Sequence, residues 1–277
     1  MRRLHPDEKM DLPLNSVSLR VYADSRPHML QTAKLQKGVV LVYNGTELVG
    51  EGLGIGVPVC RYQDGTRFSM SAETFIDNSA VHPKIVKTYD MNGIAAKRFR
   101  EVSIRRGRYL AHLLRLLEKA YRKFRRFTVG AGLVLELLSF LGMRNEYVKS
   151  HSKGRIIVTY RPNGAGLHIE ADLGELTADG LQSVIFANEQ SGRLFNEYAD
   201  SSGARLQGTE IEPWWITRAE WASLHCRELG LGLRLHRPNG WRIVRGREVV
   251  EERISWSGLD LVYGGVPKTL EYRVQFA

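Results

Sequence analysis

The chain has 277 residues, 43% apolar and 25% charged, with a formal net charge of +10. This is the balance of a soluble globular protein with room for a sizeable core, in one large β domain or two ordinary domains. Two cysteines far apart, Cys60 and Cys226, exclude a CxxC metal site or a dense disulfide framework and predict two buried reduced thiols.

The chain opens on "MRRLHPDEKMDLPLN", which is basic but lacks the apolar stretch of a secretory signal, so a cytoplasmic location is expected. Turn signals then dominate. Asn-Gly pairs fall at 44–45, 92–93, 163–164 and 239–240, and Asp-Gly pairs at 64–65 and 179–180, most of them between β-type runs. Such dipeptides mark hairpins, because both central residues of a type I′ turn need positive φ. "VVLVY" (39–43) is therefore expected to pair with "LVGEGLGIGVPVC" (48–60). "VPVCRY" (57–62) is expected to pair with "TRFSM" (66–70), and "IVKTY" (85–89) with "IAAKRF" (94–99). Gly50, Gly52, Gly54 and Gly56 recur every second residue. They do not match GxGxxG, and they lead to a proline rather than a helix, so a phosphate cradle is not indicated. A period of two instead predicts one strand face stripped of side chains and covered by an aromatic ring or a close-packed segment. Gly230 and Gly232 predict the same on a second strand.

The middle of the chain differs. Twelve basic residues between Lys97 and Arg126 face only Glu101 and Glu118, so this stretch holds a charge equal to the whole net charge of +10. Leu110, Leu113, Leu117, Tyr121 and Phe124 recur at helical spacing, with Arg108, Arg115, Lys119, Arg122 and Arg126 as a second stripe. An amphipathic basic helix is predicted, followed by the apolar stretch Phe127–Met143, read as a buried helix or helix pair. The fold class expected is thus mainly β: a large antiparallel two-sheet sandwich of about fifteen short strands, interrupted by one central basic amphipathic helical segment. Its parts are an N-terminal β half (1–106), the helical segment (107–143) and a C-terminal β half (144–277), forming one composite sandwich domain.

In the C-terminal half, "RIIVTY" (155–160) and "GLHIEADL" (166–173) read as a hairpin. "SVIFA" (183–187), "RLFNEYA" (193–199) and "ARLQGTEI" (204–211) read as a meander. Within "FANEQSGRLFNEY", Glu189, Gln190 and Arg193 read as polar residues around a turn. "TRAEWASL" is open between a short helix with capping-box spacing and a strand through Trp221–Cys226.

Three features point to chemistry. His168, Glu170 and Asp172 alternate along one strand and so share a face. A histidine with two carboxylates can perform general acid/base work or hold a divalent metal, and these three are the catalytic candidates. All five tryptophans lie in the last third of the chain. Adjacent Trp214 and Trp215 cannot both face inward from an extended stretch, so at least one is expected to be exposed or under a loop, where it could stack on a ligand. Arg115, Lys119, Arg122 and Arg126 would bind an anionic group. No GxxxxGK[ST], HExxH or GxSxG is present, and no cofactor or resident metal is expected.

Large two-sheet sandwiches often act on carbohydrates, an analogy at the level of fold alone. Together these features suggest a protein that binds, and in one version processes, an anionic carbohydrate or similar polar ligand. The alternatives are a nucleic-acid-binding module using the basic helix, a membrane-surface protein, and an oligomer whose interface uses that helix. Whether the chain is an enzyme is left open at this stage.

Overall fold

The computed structural model describes residues 1–14, 17–28, 33–78, 83–98, 144–164, 166–251 and 254–276. The helical segment expected over 107–143, with Arg115, Lys119, Arg122 and Arg126, lies outside the described residues. Twenty-two strands are present among the described residues, with two single 3-10 turns at Gly208–Ile211 and Arg227–Leu229. In chain order the first strands are β1 (Arg2–Arg3), β2 (Lys9–Leu14), β3 (Val17–Tyr22), β4 (Arg26–His28), β5 (Ala33–Leu35), β6 (Val40–Tyr43) and β7 (Thr46–Glu47). They are followed by β8 (Gly54–Tyr62), β9 (Gly65–Asp77), β10 (Lys84–Arg98), β11 (Arg144–Lys149), β12 (Arg155–Asn163), β13 (Gly166–Asp172) and β14 (Leu181–Ser191). The last are β15 (Glu197–Asp200), β16 (Arg205–Gln207), β17 (Trp215–Thr217), β18 (Trp221–Cys226), β19 (Leu231–His236), β20 (Arg242–Glu251), β21 (Ile254–Gly264) and β22 (Thr269–Phe276). The chain divides into a larger unit, Met1–Ile94 with Val148–Ala277, and a smaller one, Ala95–Tyr147.

Fourteen strands of one sheet follow the hydrogen-bonded order β16-β15-β18-β19-β22-β13-β12-β10-β9-β8-β14-β21-β20-β17, and a four-stranded sheet runs β2-β3-β6-β7. Alternation in sequence explains the layers. "TLEYRVQF" on β22 buries Leu270, Tyr272 and Val274 and exposes the residues between them, as expected for a sheet with one face on the core. The long sheet folds over on itself. Five strands separate β22 from β14, so a flat sheet with about 4.8 Å per strand would hold them about 29 Å apart. Yet the rings of Phe186 (β14) and Tyr272 (β22) have centroids 6.3 Å apart. The inner faces of the two halves therefore meet, and one core contains Leu19, Ile85, Tyr160, Ile169, Phe186, Leu233, Leu261 and Val274. The mainly β architecture matches the expectation from sequence.

Several local expectations change. The 85–98 stretch is one strand, not a hairpin. β10 runs through Asn92-Gly93, where its register on β9 shifts, and the Asn92 side chain is used instead to accept from Met70 N (3.2 Å) and donate to Ser71 Oγ (2.8 Å). β6 pairs with β3 and the short β7, and the 38–41 stretch meets the glycine row through the Val39–Ile55 bridge and through hydrogen bonds from Leu48 N to Leu41 O and from Gly38 N to Leu53 O. "TRAEWASL" contributes the strand β18, not a helix. The hairpins at Asp64-Gly65 and Asn163-Gly164 form as expected.

The glycine row also differs from a single bare face. Gly50 and Gly52 precede β8, and Gly54 and Gly56 have φ of +86° and +77°, so the side-to-side alternation of a strand does not hold there. Close packing does. A Cβ at Gly56 would lie 2.7 Å from Tyr160 Cε1, and one at Gly54 would lie 2.9 Å from Val39 O. On the second strip, Gly232 lies against the His225 ring, whereas Gly230 is a left-handed cap before β19 with nothing within 4 Å.

Candidate functional site

The expected triad on β13 does share the outer face. His168 Nε2 lies 2.9 Å from Glu271 Oε1 on β22, and His168 Nδ1 lies 3.9 Å from Glu170 Oε1. Glu170 is ion-paired to Arg161 on β12. Asp172 is exposed, and its Oδ1 accepts from Gly174 N at 2.9 Å, closing the turn after the strand. The structure thus brings Glu271, rather than Asp172, beside the histidine.

A second constellation was not singled out from sequence. It starts at Asn188, fully buried on the inner face of β14. Its Oδ1 accepts from Gly56 N (3.2 Å) and Tyr272 Oη (3.0 Å), and its Nδ2 donates to Phe186 O and Leu259 O (3.1 Å each). All four capacities of the amide are satisfied, which fixes β14 against β8, β21 and β22. Side chains alternate, so the next residue, Glu189, points to the other face, away from the core.

Glu189 there stands in a row with almost no neighbours of its own size. In register it faces Gly54 on β8 and Gly258 on β21, and Gly258 in turn faces Gly246 on β20. The indole of Trp214 packs on Gly246 and reaches Gly258. A Cβ at Gly258 would lie 2.9 Å from Trp214 Cη2, 3.0 Å from Glu189 Cγ and 3.2 Å from Asp260 Oδ1. Three polar or aromatic side chains therefore converge on the space of one absent side chain. Glu189 Oε2 accepts from Leu53 N (2.8 Å), Asp260 Oδ1 accepts from Asn188 N (3.2 Å), and Trp214 Nε1 points to Glu248 Oε2 at 3.4 Å.

The electrostatics are those of carboxyls kept from water. Glu189 is 8% exposed, and burial pushes its carboxyl up to about 7, opposed by the Leu53 N–H and assisted by the charge of Glu248. Burial, with the charge of Glu189, also raises Asp260 well above the ordinary carboxylate range. Lys37 is pushed down to about 8 by burial, which the charges of Glu51 and Glu189 oppose, and it donates to Gly50 O at 3.0 Å. Two neighbouring carboxyls raised toward neutrality can supply one proton donor and one acceptor near pH 7.

Trp214 and Trp215 divide as expected. Trp214 is half-buried over the glycines, while Trp215 is 63% exposed on β17. Glu189 and Gln190, read with Arg193 as a turn, instead lie near the buried end of an eleven-residue strand. The available signal was in "ISWSGLDLVY": a lone acid two residues after a glycine on one face of a largely apolar strand. Among the described residues no group of three or more His, Cys, Asp or Glu could hold a metal ion, and no helix is long and apolar enough to cross a membrane.

No family model matches the sequence, and no curated protein matches it. Among solved structures the chain is similar to a galactose mutarotase-like protein from Lactobacillus casei (8% identity, 98% of this chain and 100% of that chain, TM-score 0.46). It is also similar to the Slr1438 protein from Synechocystis (11% identity, 100% and 98%, TM-score 0.42). A third is a heparinase III, the BT4657 gene product (8% identity, 96% and 35%, TM-score 0.42).

Proposed function

We propose that the larger unit binds a ring-shaped polyhydroxylated ligand of the carbohydrate class against Trp214 and moves a proton on it with the Glu189–Asp260 carboxyl pair. The observation that carries this reading is the convergence of Trp214, Glu189 and Asp260 on Gly258. An indole face accepts the C–H face of a sugar ring. Carboxyls held near neutrality exchange protons with hydroxyl or carbonyl oxygens without a large driving-force penalty. Glu189, Asp260 and Glu248 around one indole favour an uncharged ring at this point. The anionic part of the earlier expectation rests on Arg115, Lys119, Arg122 and Arg126, which lie outside the described residues. The test is saturation-transfer NMR on the full chain against neutral sugars and uronic acids, followed by NMR of each binder for a catalysed change. Glu189→Gln and Asp260→Asn should each lower turnover by about 100-fold while ligand still binds. A panel with no binder, or an unchanged rate in Glu189→Gln, refutes the proposal.

A second reading rests on where the charge lies. The basic run between Lys97 and Arg126 carries a charge equal to the whole net +10 and falls in the smaller unit, whereas the carboxyl pair belongs to the larger one. An anionic macromolecule such as nucleic acid is the partner that run suits, and its binding should weaken steeply with salt.

A further inference from the structure

The outer face of β12, β13, β22 and β19 carries a feature the carboxyl pair does not use. Across these strands Asn163, Gly166, Gln275 and Arg234 stand in register, and the next rank inward along the strands is Arg161, His168 and Arg273. Gly166 leaves the first rank without a side chain at its second position. A cavity of about 380 Å³ opens there, with Arg234, Arg273 and His168 in its lining. That volume lies within the range of small-molecule sites.

The charges at this notch are unequally neutralised. Glu170 is held by Arg161, and Glu271 Oε1 lies within hydrogen-bond distance of His168 Nε2, so both nearby carboxylates have partners of their own. Arg234 and Arg273 form no ion pair among the described residues. The guanidinium carbon of Arg234 lies 4.3 Å from the centre of the Trp221 ring, in cation–π contact. Such a contact steadies a guanidinium while its fork of N–H donors can still bind planar or tetrahedral oxyanions.

We propose that this notch is an oxyanion-binding site, in which Arg273 and the Trp221-stacked Arg234 hold the carboxylate or phosphate group of a small molecule over Gly166. Gln275 and Asn163 supply neutral amide donors at the rim. The site is built on strands other than those holding Glu189 and Asp260, and it does not rest on the function proposed for that pair.

The experiment is titration of the full chain with inorganic phosphate and, separately, with succinate, at fixed ionic strength, read by tryptophan fluorescence and calorimetry. Saturable binding is expected. Phosphate alone assigns a phosphate group, and succinate alone or both together assigns a site that accepts carboxylate. Arg273→Met and Arg234→Met should each weaken binding by about tenfold or more. Arg234→Met should also change the emission of the unliganded protein, because Trp221 loses its stacked cation. The control is Arg155→Met, on the same outer face but paired with Asp90 at 2.9 Å, and it should leave affinity unchanged. No saturable binding of either anion overturns the proposal. So does equal weakening by Arg155→Met, which would reduce the effect to general charge.

Discussion

Replacing Glu189 by Gln should change how folding stability depends on pH. Burial raises the Glu189 carboxyl from an ordinary 4.5 to about 7 in the folded chain. The folded state therefore keeps a proton that the unfolded chain releases. This favours folding fully below about 4.5, and the advantage is lost as pH rises to about 7. At about 1.4 kcal/mol per pH unit, the climb removes about 3 kcal/mol of stability between acid and neutral pH. Glu189→Gln keeps an oxygen for the Leu53 N–H but cannot ionise. Its stability should thus fall less, and at pH 8 it should exceed the wild type by up to about 3 kcal/mol. A residual decline from Asp260, which is raised by burial in its own right, remains in the variant. Urea unfolding at several pH values from 5 to 8, followed by tryptophan fluorescence, measures both curves. Parallel curves for the two proteins would show that Glu189 is ionised and solvated in the folded state, and would refute the reasoning for the whole site.

Four other outcomes follow from packing and pairing. Gly246→Ala places a methyl group into the Trp214 ring and should cost about 1–3 kcal/mol, with a red shift of emission as the indole is lifted toward water. Gly56→Ala meets both a φ of +77° and Tyr160 Cε1 at 2.7 Å; a loss of about 2 kcal/mol or more in thermal or urea unfolding is expected. Cys60 and Cys226 are free and buried, and burial pushes the Cys60 thiol up to about 12, so a thiol reagent should modify neither until the protein unfolds. Glu170→Gln removes an ion pair with Arg161 in which both side chains are 39% exposed, and should change stability by less than about 1 kcal/mol.

Much of the larger unit is legible along the sequence because its strands are amphipathic. β12, β13 and β22 alternate so regularly that their core face follows from residue type alone, and Asp64-Gly65 and Asn163-Gly164 mark true hairpins. Asn92-Gly93 misleads because turn propensity is local. There the partner strand β9 continues past it, and the Asn92 amide finds Met70 and Ser71 across the sheet, so a bulge replaces the turn. "LVGEGLGIGVPVC" misleads differently. Counting by two assumes strand geometry, and positive φ at Gly54 and Gly56 breaks that geometry while still allowing the backbone contacts for which glycine is needed.

The carboxyl pair was hidden because no short stretch contains it. Gly54, then Glu189, then Gly246, Gly258 and Asp260 lie on strands brought together only by the β8-β14-β21-β20 order, with Gly52 just before the first of them. Each glycine taken alone weakens its strand. A Cβ at Gly52 would lie 3.0 Å from Glu189 Cβ and one at Gly258 3.0 Å from Glu189 Cγ, so these two glycines leave the room Glu189 occupies, and Gly246 with Gly258 provides the floor on which Trp214 rests. Filling either space would lift the indole or force Glu189 outward into water, where its carboxyl would return to its ordinary range. The glycines thus set the proton affinity of Glu189 through burial, without contributing a polar atom of their own. Substituting a glycine in this row should therefore shift the pH dependence of stability in the same direction as removing the acid.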